Sequence, residues 1–200
     1  DSTLIEDEVI ELLADVAGKR AEVAAVTERA MAGELDFAES LIERVKTLAG
    51  LPESVFADVQ KRITITTGAK RLIDSVHSAG GKVGAVSGGF NQLLTPLAEI
   101  LELDFARANQ LEVVDGFLTG RVIGAIVDRQ AKADALIEWA AVTGTPIENT
   151  VAVGDGANDL SMMAAAGLGV GFNCKPIVRE HADFILEGND LSKLTEKLGI

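Results

Sequence analysis

From Thr64 onward the sequence keeps returning to one arrangement, a brief apolar run, a polar loop and a helical pattern, and that rhythm narrows the fold more than any other feature. The runs at 82–86, 150–153, 167–172 and 183–186 are short and rich in apolar residues, as strands buried on both faces are. Helical patterns such as 131–142 separate them. Parallel strands need crossovers of this kind, so the alternation predicts an α/β, doubly wound, mostly parallel sheet. Such sheets bind ligands where the carboxyl ends of their strands meet loops and helix starts. Chemistry is therefore expected just after strands.

Two stretches break the rhythm. Over 5–63 the pattern is helical: Ile5, Val9, Leu12, Leu13 and Val16 recur at the spacing of one helix face, as do Phe37, Leu41, Val45 and Leu48. Gly18, Gly33 and Gly50-Leu51-Pro52 punctuate these helices, with Pro52 suiting the first turn of the next one. Within about 105–124, Leu111-Glu112-Val113-Val114 and Phe117-Leu118-Thr119-Gly120 flank Asp115-Gly116, a β-hairpin signature, and this hairpin is expected to help roof the pocket. The expected division is 1–4 as the start of the core, 5–63 as a helical cap, and 64–200 as the core with the hairpin inserted.

The 200 residues suffice for one good core and a modest second lobe, and 48% hydrophobic content excludes disorder. With 18 basic against 31 acidic residues the formal charge is -13, which opposes general attraction to nucleic acid or to an anionic membrane. The most apolar segment, 164–172, is short and broken by Gly167, Gly169 and Gly171, so no bilayer-crossing run is expected. Cys174 is the single cysteine; it reads as a small buried hydrophobe and suits a reducing, cytoplasmic compartment. A homodimer is left open as the assembly.

The strongest local signal is Val151-Ala152-Val153-Gly154-Asp155-Gly156-Ala157-Asn158-Asp159, a strand running into glycines interleaved with carboxylates and then a helix. A carboxylate fixed at a strand end suits Mg²⁺, which takes one or two carboxylates together with phosphate and water. Asp155 is the first candidate ligand. Asp159 either joins the metal site, orients metal-bound water or caps the helix, and Asn158 can donate its amide to a ligand. In Val83-Gly84-Ala85-Val86-Ser87-Gly88-Gly89-Phe90 a strand ends in a hydroxyl and two glycines before a helix. Backbone N–H groups there, with Ser87, can cradle phosphate oxygens, although such a turn in isolation is more often only a turn. Lys132 begins a helix after Asp128; alone it reads as a solvated lysine, yet a phosphoryl-transfer site needs a cation of this kind. Asp1-Ser2-Thr3-Leu4 has the look of a loop leaving a strand.

Taken together, Asp-Ser-Thr, Ser-Gly-Gly, Lys and Gly-Asp-Gly-x-Asn-Asp in this order resemble the phosphoserine phosphatases of the haloacid dehalogenase superfamily, and the likeness spans essentially the whole chain. The resemblance implies that superfamily's fold, with a helical cap and a small hairpin insertion, and Mg²⁺-dependent hydrolysis of phosphoserine, the last step of serine biosynthesis. The family opens with Asp-x-Asp-x-Thr, whose first Asp is the phosphate-accepting nucleophile. Asp1 falls on the second Asp, a general acid/base whose backbone carbonyl is also a metal ligand. The nucleophile and its strand are therefore expected upstream of Asp1. By the same resemblance Ser87 and the Gly88 backbone hold phosphate, Lys132 stabilises the aspartyl phosphate, and Asp155 completes the metal site. Glu8, Met31, Phe37 and Arg44 occupy matching cap positions. Phosphoserine carries a carboxylate for Arg44 and an ammonium for Glu8, while Met31 and Phe37 either exclude water or simply pack.

The rivals are a related small-ester phosphatase, a phosphotransferase to homoserine, a phosphate-accepting receiver and an inactive binding module. The long helical insertion and the Gly-Asp-Gly loop argue against the receiver. Gly167-Leu168-Gly169-Val170-Gly171 is no dinucleotide loop, because Asn173-Cys174-Lys175-Pro176 does not open a helix as that fingerprint requires. Gly80-Gly81-Lys82 lacks the spacing of a P-loop, and His77 and His181 are scattered.

Overall fold

In the computed structural model, which describes residues 1–31 and 34–200, with Met31 in its backbone only, the first third of the chain is helical as expected. Its helices are α1 (Val9–Val16), α2 (Arg20–Met31), α3 (Phe37–Lys46) and α4 (Val55–Gln60). Gly33 lies outside the described residues. The start of α3 is fixed by a capping box: Asp36 accepts the Glu39 N–H while the Glu39 side chain accepts the Asp36 N–H. Its predicted apolar face is realised, with Leu41 and Val45 buried and Leu48 fully so beyond the helix end.

Two details differ from the sequence reading. Ile5 is buried but precedes α1; it is extended and bridges Ile65 in antiparallel fashion. The Glu6 N–H donates to the Thr64 carbonyl at 2.9 Å and the Thr66 N–H to the Leu4 carbonyl at 3.0 Å, so backbone pairing across the chain outweighs helical periodicity there. Pro52 bridges Phe117 of the hairpin, three residues before α4, instead of starting a helix.

The remainder alternates as predicted: α5 (Ala69–Ser78), β1 (Gly84–Phe90), α6 (Asn91–Leu101), β2 (Phe105–Val114), β3 (Phe117–Ile123), α7 (Arg129–Thr143), β4 (Val151–Gly154), α8 (Leu160–Ala165), β5 (Leu168–Phe172), α9 (Pro176–Arg179), β6 (Phe184–Leu186) and α10 (Leu194–Leu198). The described strands form two three-stranded sheets, β1-β2-β3 and β4-β5-β6, in which β1–β2, β4–β5 and β5–β6 are parallel. Strands β1 and β4 are the edges that line a shared cleft. The predicted hairpin is β2–β3, and both turn residues have positive φ, Asp115 at 51° and Gly116 at 80°, as a tight two-residue turn requires. Its first strand is no separate insertion: β2 pairs with β1 over its first half and with β3 over its second.

One apolar core joins Leu13, Leu41 and Leu48 of the helical part to Phe90, Leu93, Leu111 and Leu118. The Gly50 N–H donates to Leu118 and the Leu118 N–H to Leu51, each at 2.8 Å, tying the hairpin to the helices. The helical part is thereby packed against β1, α6 and the hairpin.

Candidate active site

The loop after β4 is held by its own residues. Asp159, buried at the end of a 3₁₀ turn (Ala157–Asp159), accepts the Asp155 and Gly156 N–H groups on Oδ2 at 3.1 and 3.2 Å. Its Oδ1 accepts the Lys132 ammonium at 2.7 Å. A Cβ on Gly154 would overlap the Asp159 carboxyl group, so only glycine lets this carboxylate fold back on the loop. Both Asp159 oxygens are thus committed to Lys132 and to loop amides. That fits an orienting role better than direct ligation of a metal, and the side chain makes no cap bond to α8, whose N-cap it occupies.

Lys132 is buried in the first turns of α7, whose N-cap Asp128 accepts the Ala131 N–H at 2.8 Å. A charge this buried needs its partner: losing either member of such a pair costs about 3–5 kcal/mol.

Asp155 is differently placed. Half-buried, it has the Thr3 hydroxyl 3.5 Å from Oδ1 and the Lys175 ammonium 3.9 Å from Oδ2. Burial pushes its pKa up, Asp159 adds to the rise, and Lys175 opposes it. A carboxylate that burial makes costly to ionise gains most from an adjacent cation. Among the described residues no cluster of three or more His, Cys, Asp or Glu side chains is poised for a metal. A cation at Asp155 would therefore complete its shell with backbone, substrate and water oxygens, a donor set that fits Mg²⁺.

The Ser87-Gly88-Gly89 turn is not the strand-to-helix loop predicted. Strand β1 runs on to Phe90 and α6 starts at Asn91. Register is lost between Val86, opposite Arg107, and Phe90, opposite Asn109, so three residues oppose one and bulge from the ladder. The Ser87 hydroxyl accepts the Gly89 N–H at 2.9 Å. Fully buried Asn109 holds the bulge from behind: its amide donates to the Gly88 carbonyl and its oxygen accepts the Val127 N–H, both at 2.8 Å. The glycines serve close approach. A Cβ on Gly88 would lie 3.1 Å from the Phe37 ring, and one on Gly89 would lie 2.8 Å from Val9.

The chain start and the helices close the site. Asp1 Oδ2 accepts the Val9 N–H at 3.1 Å, at the start of α1. Ser2 is in the left-handed region and donates to Glu8 Oε1 at 2.6 Å, and the Thr3 carbonyl accepts the Thr66 hydroxyl at 2.6 Å. Arg44 donates through Nε to the Ser40 carbonyl at 3.2 Å; burial lowers its pKa, while Glu8 and Glu11 work the other way.

Asp1, Glu8, Phe37, Arg44, Ser87, Gly88, Lys132, Asp155, Asn158 and Asp159 all line one cavity, whose wall also takes in apolar residues such as Leu72, Trp139 and Leu194. Of the residues singled out in the sequence only Met31 is left undecided, because its side chain lies outside the described residues. Three participants escaped the sequence reading. Thr3 was quoted in a motif without a role. Asn109 was not singled out. Lys175 served only to dismiss a dinucleotide loop, although its place after β5 puts it at the same sheet end as the other candidates.

The model of the family described as haloacid dehalogenase-like hydrolase matches residues 1–164. Phosphoserine phosphatase SerB2 of Mycobacterium tuberculosis is 54% identical over 200 residues, all of this chain and 49% of its own length, so the chain spans about half of that relative. Phosphoserine phosphatase of Streptococcus thermophilus is 52% identical over 198 residues, 99% of this chain and 92% of its own. A solved structure described as a phospho-aspartyl intermediate analogue of phosphoserine phosphatase superposes with a TM-score of 0.91 at 44% identity, covering 98% of this chain and 94% of its own. A substrate-bound phosphoserine phosphatase complex gives the same figures. With its order of motifs, its two sheets under a helical lobe and relatives this similar along nearly its whole length, the chain belongs to the haloacid dehalogenase-like hydrolases, within their phosphoserine phosphatase family.

Proposed function

We propose that the chain is the catalytic part of a Mg²⁺-dependent phosphoserine phosphatase that works through an aspartyl-phosphate intermediate. The observation that carries this reading is the meeting of Asp1, Ser87, Lys132 and Asp155 around one cavity, four residues contributed by widely separated parts of the chain. Two similar solved structures, one described as a phospho-aspartyl intermediate analogue and one as a substrate-bound complex, support it.

Each residue has a task its surroundings suit. The Ser87 hydroxyl and the Gly88 backbone bind phosphate oxygens from the bulge that Asn109 steadies. The phosphate-accepting aspartate belongs two positions ahead of Asp1 in the Asp-x-Asp-x-Thr motif. As its carboxylate bonds to phosphorus, Asp1 gives a proton to the departing serine oxygen; Asp1 then takes a proton from the water that hydrolyses the acyl phosphate. The Val9 N–H holds Asp1 Oδ2 during both transfers. Lys132, kept in place by Asp159, offsets charge on the transferring group. Asp155, with the backbone carbonyl of Asp1, would hold Mg²⁺, which when bound supplies Lewis-acid polarisation and a template for the phosphate. Arg44 takes the substrate carboxylate in bidentate fashion, Glu8 takes its ammonium, and Phe37 over Gly88 excludes water. The reading places the protein in the cytoplasm, where serine is made.

Phosphate release from phosphoserine by the complete protein, with Mg²⁺ and with a chelator, is the direct test. Chelation is expected to abolish release, and so is Asp155→Asn; near-normal turnover in either case refutes the metal assignment. Arg44→Ala is expected to raise KM for phosphoserine by about tenfold or more while sparing a simple aryl phosphate. Equal losses on both substrates would remove Arg44 from the carboxylate role.

A further inference from the structure

Four carboxylates, Asp1, Glu8, Asp155 and Asp159, line the cavity together with four cations, Arg44, Lys82, Lys132 and Lys175, so a phosphate ester brings negative charge in excess of that balance. Most lining cations are already engaged. Lys132 bonds Asp159 at 2.7 Å, Lys82 bonds Asp104 at 2.8 Å, and Arg44 bonds the Ser40 carbonyl at 3.2 Å.

Lys175 differs. Its ammonium stands 3.9 Å from Asp155 Oδ2, past hydrogen-bond reach, on a side chain that is 69% exposed. Its backbone, by contrast, is fixed, because the Lys175 N–H donates to the Asp155 carbonyl at 2.8 Å. The ammonium also lies over Gly156, 3.6 Å from where a Cβ there would sit. A rooted backbone thus carries an exposed cation, only loosely paired, beside the carboxylate assigned to the metal.

Building on the phosphatase reading of this site, we propose that Lys175 is a further phosphate-binding residue, which shields Asp155 until a divalent cation takes that carboxylate and then turns onto the substrate phosphate. The switch follows from like-charge repulsion. A divalent cation at Asp155 repels an ammonium a few ångströms away, while the phosphate arriving beside it attracts one. Lysine suits the task, since a compact charge on a four-carbon stem can change partners without leaving its root.

The test uses the complete protein as wild type, Lys175→Gln and Lys175→Arg. Calorimetry would measure Mg²⁺ binding without substrate, then inorganic phosphate binding in the presence of Mg²⁺. Lys175→Gln is expected to bind Mg²⁺ about threefold to tenfold more tightly and phosphate about tenfold more weakly. KM for phosphoserine should rise more than kcat falls, and Lys175→Arg should recover most of the phosphate affinity. A glutamine variant that matches wild type in either titration overturns the proposal. Wild-type protein that binds both ions yet leaves phosphoserine intact would sink the assigned activity instead, and the two failures stay distinct.

Discussion

The two glycine-bearing segments of the site are built on opposite plans. The Gly154–Asp159 loop is held mainly from within: its last carboxylate bonds its own amides, Lys132 binds that carboxylate, and the Lys175 N–H takes the Asp155 carbonyl. The Ser87–Gly89 bulge takes its shape from elsewhere, with Asn109 fixing Gly88 from below while Phe37 and Val9 press on the glycines from above. One plan is local and electrostatic, the other distant and steric. A loop of the first kind can be recognised in the sequence; one of the second kind depends on residues its own neighbourhood does not reveal.

Three substitutions would sharpen or break this contrast. Asp159→Ala is expected to do most damage, because it leaves the Lys132 ammonium buried without its partner; about 3–5 kcal/mol of stability should be lost in urea unfolding. A loss below about 1 kcal/mol would mean the loop is not locked by this pair. Asn109→Ala strands the Gly88 carbonyl and the Val127 N–H, so about 2–4 kcal/mol should go, with weaker phosphate binding as the functional sign. Unaltered phosphate affinity would show that the bulge keeps its shape unaided. Gly88→Ala should cost least, about 1 kcal/mol, since the tip of the Phe37 ring can give a few tenths of an ångström. Combined with Phe37→Ala the penalty should shrink, and strict additivity in that double-mutant cycle would deny the contact.

The same contrast explains what the sequence disclosed. Gly154 and Asp159 were legible because the bonds that shape their loop close within a few residues, Asp155 because it stands at a strand end, and the Asp115-Gly116 turn because its two positive φ angles are a local demand. The α3 face was legible because its period is written in closely spaced residues. Ile5 misled, since its periodicity matched a helix while its backbone found Ile65 sixty residues away. Ser87–Gly89 was read as a loop because the signature of a bulge lies in its partner strand, where Arg107 and Asn109 set the count. Asn109 and Lys175 stayed hidden for the same reason. Their neighbours in the sequence are apolar strand and turn, and their work is done across the fold.

The antiparallel contact between residues 4–6 and 64–66 makes the two ends of the helical lobe a single strap. Because the Thr66 hydroxyl grips the Thr3 carbonyl, and the Thr3 hydroxyl lies against Asp155, that strap stands only two side-chain contacts from the Asp155 carboxylate. The root of the lobe and the floor of the pocket thus share one residue, Thr3.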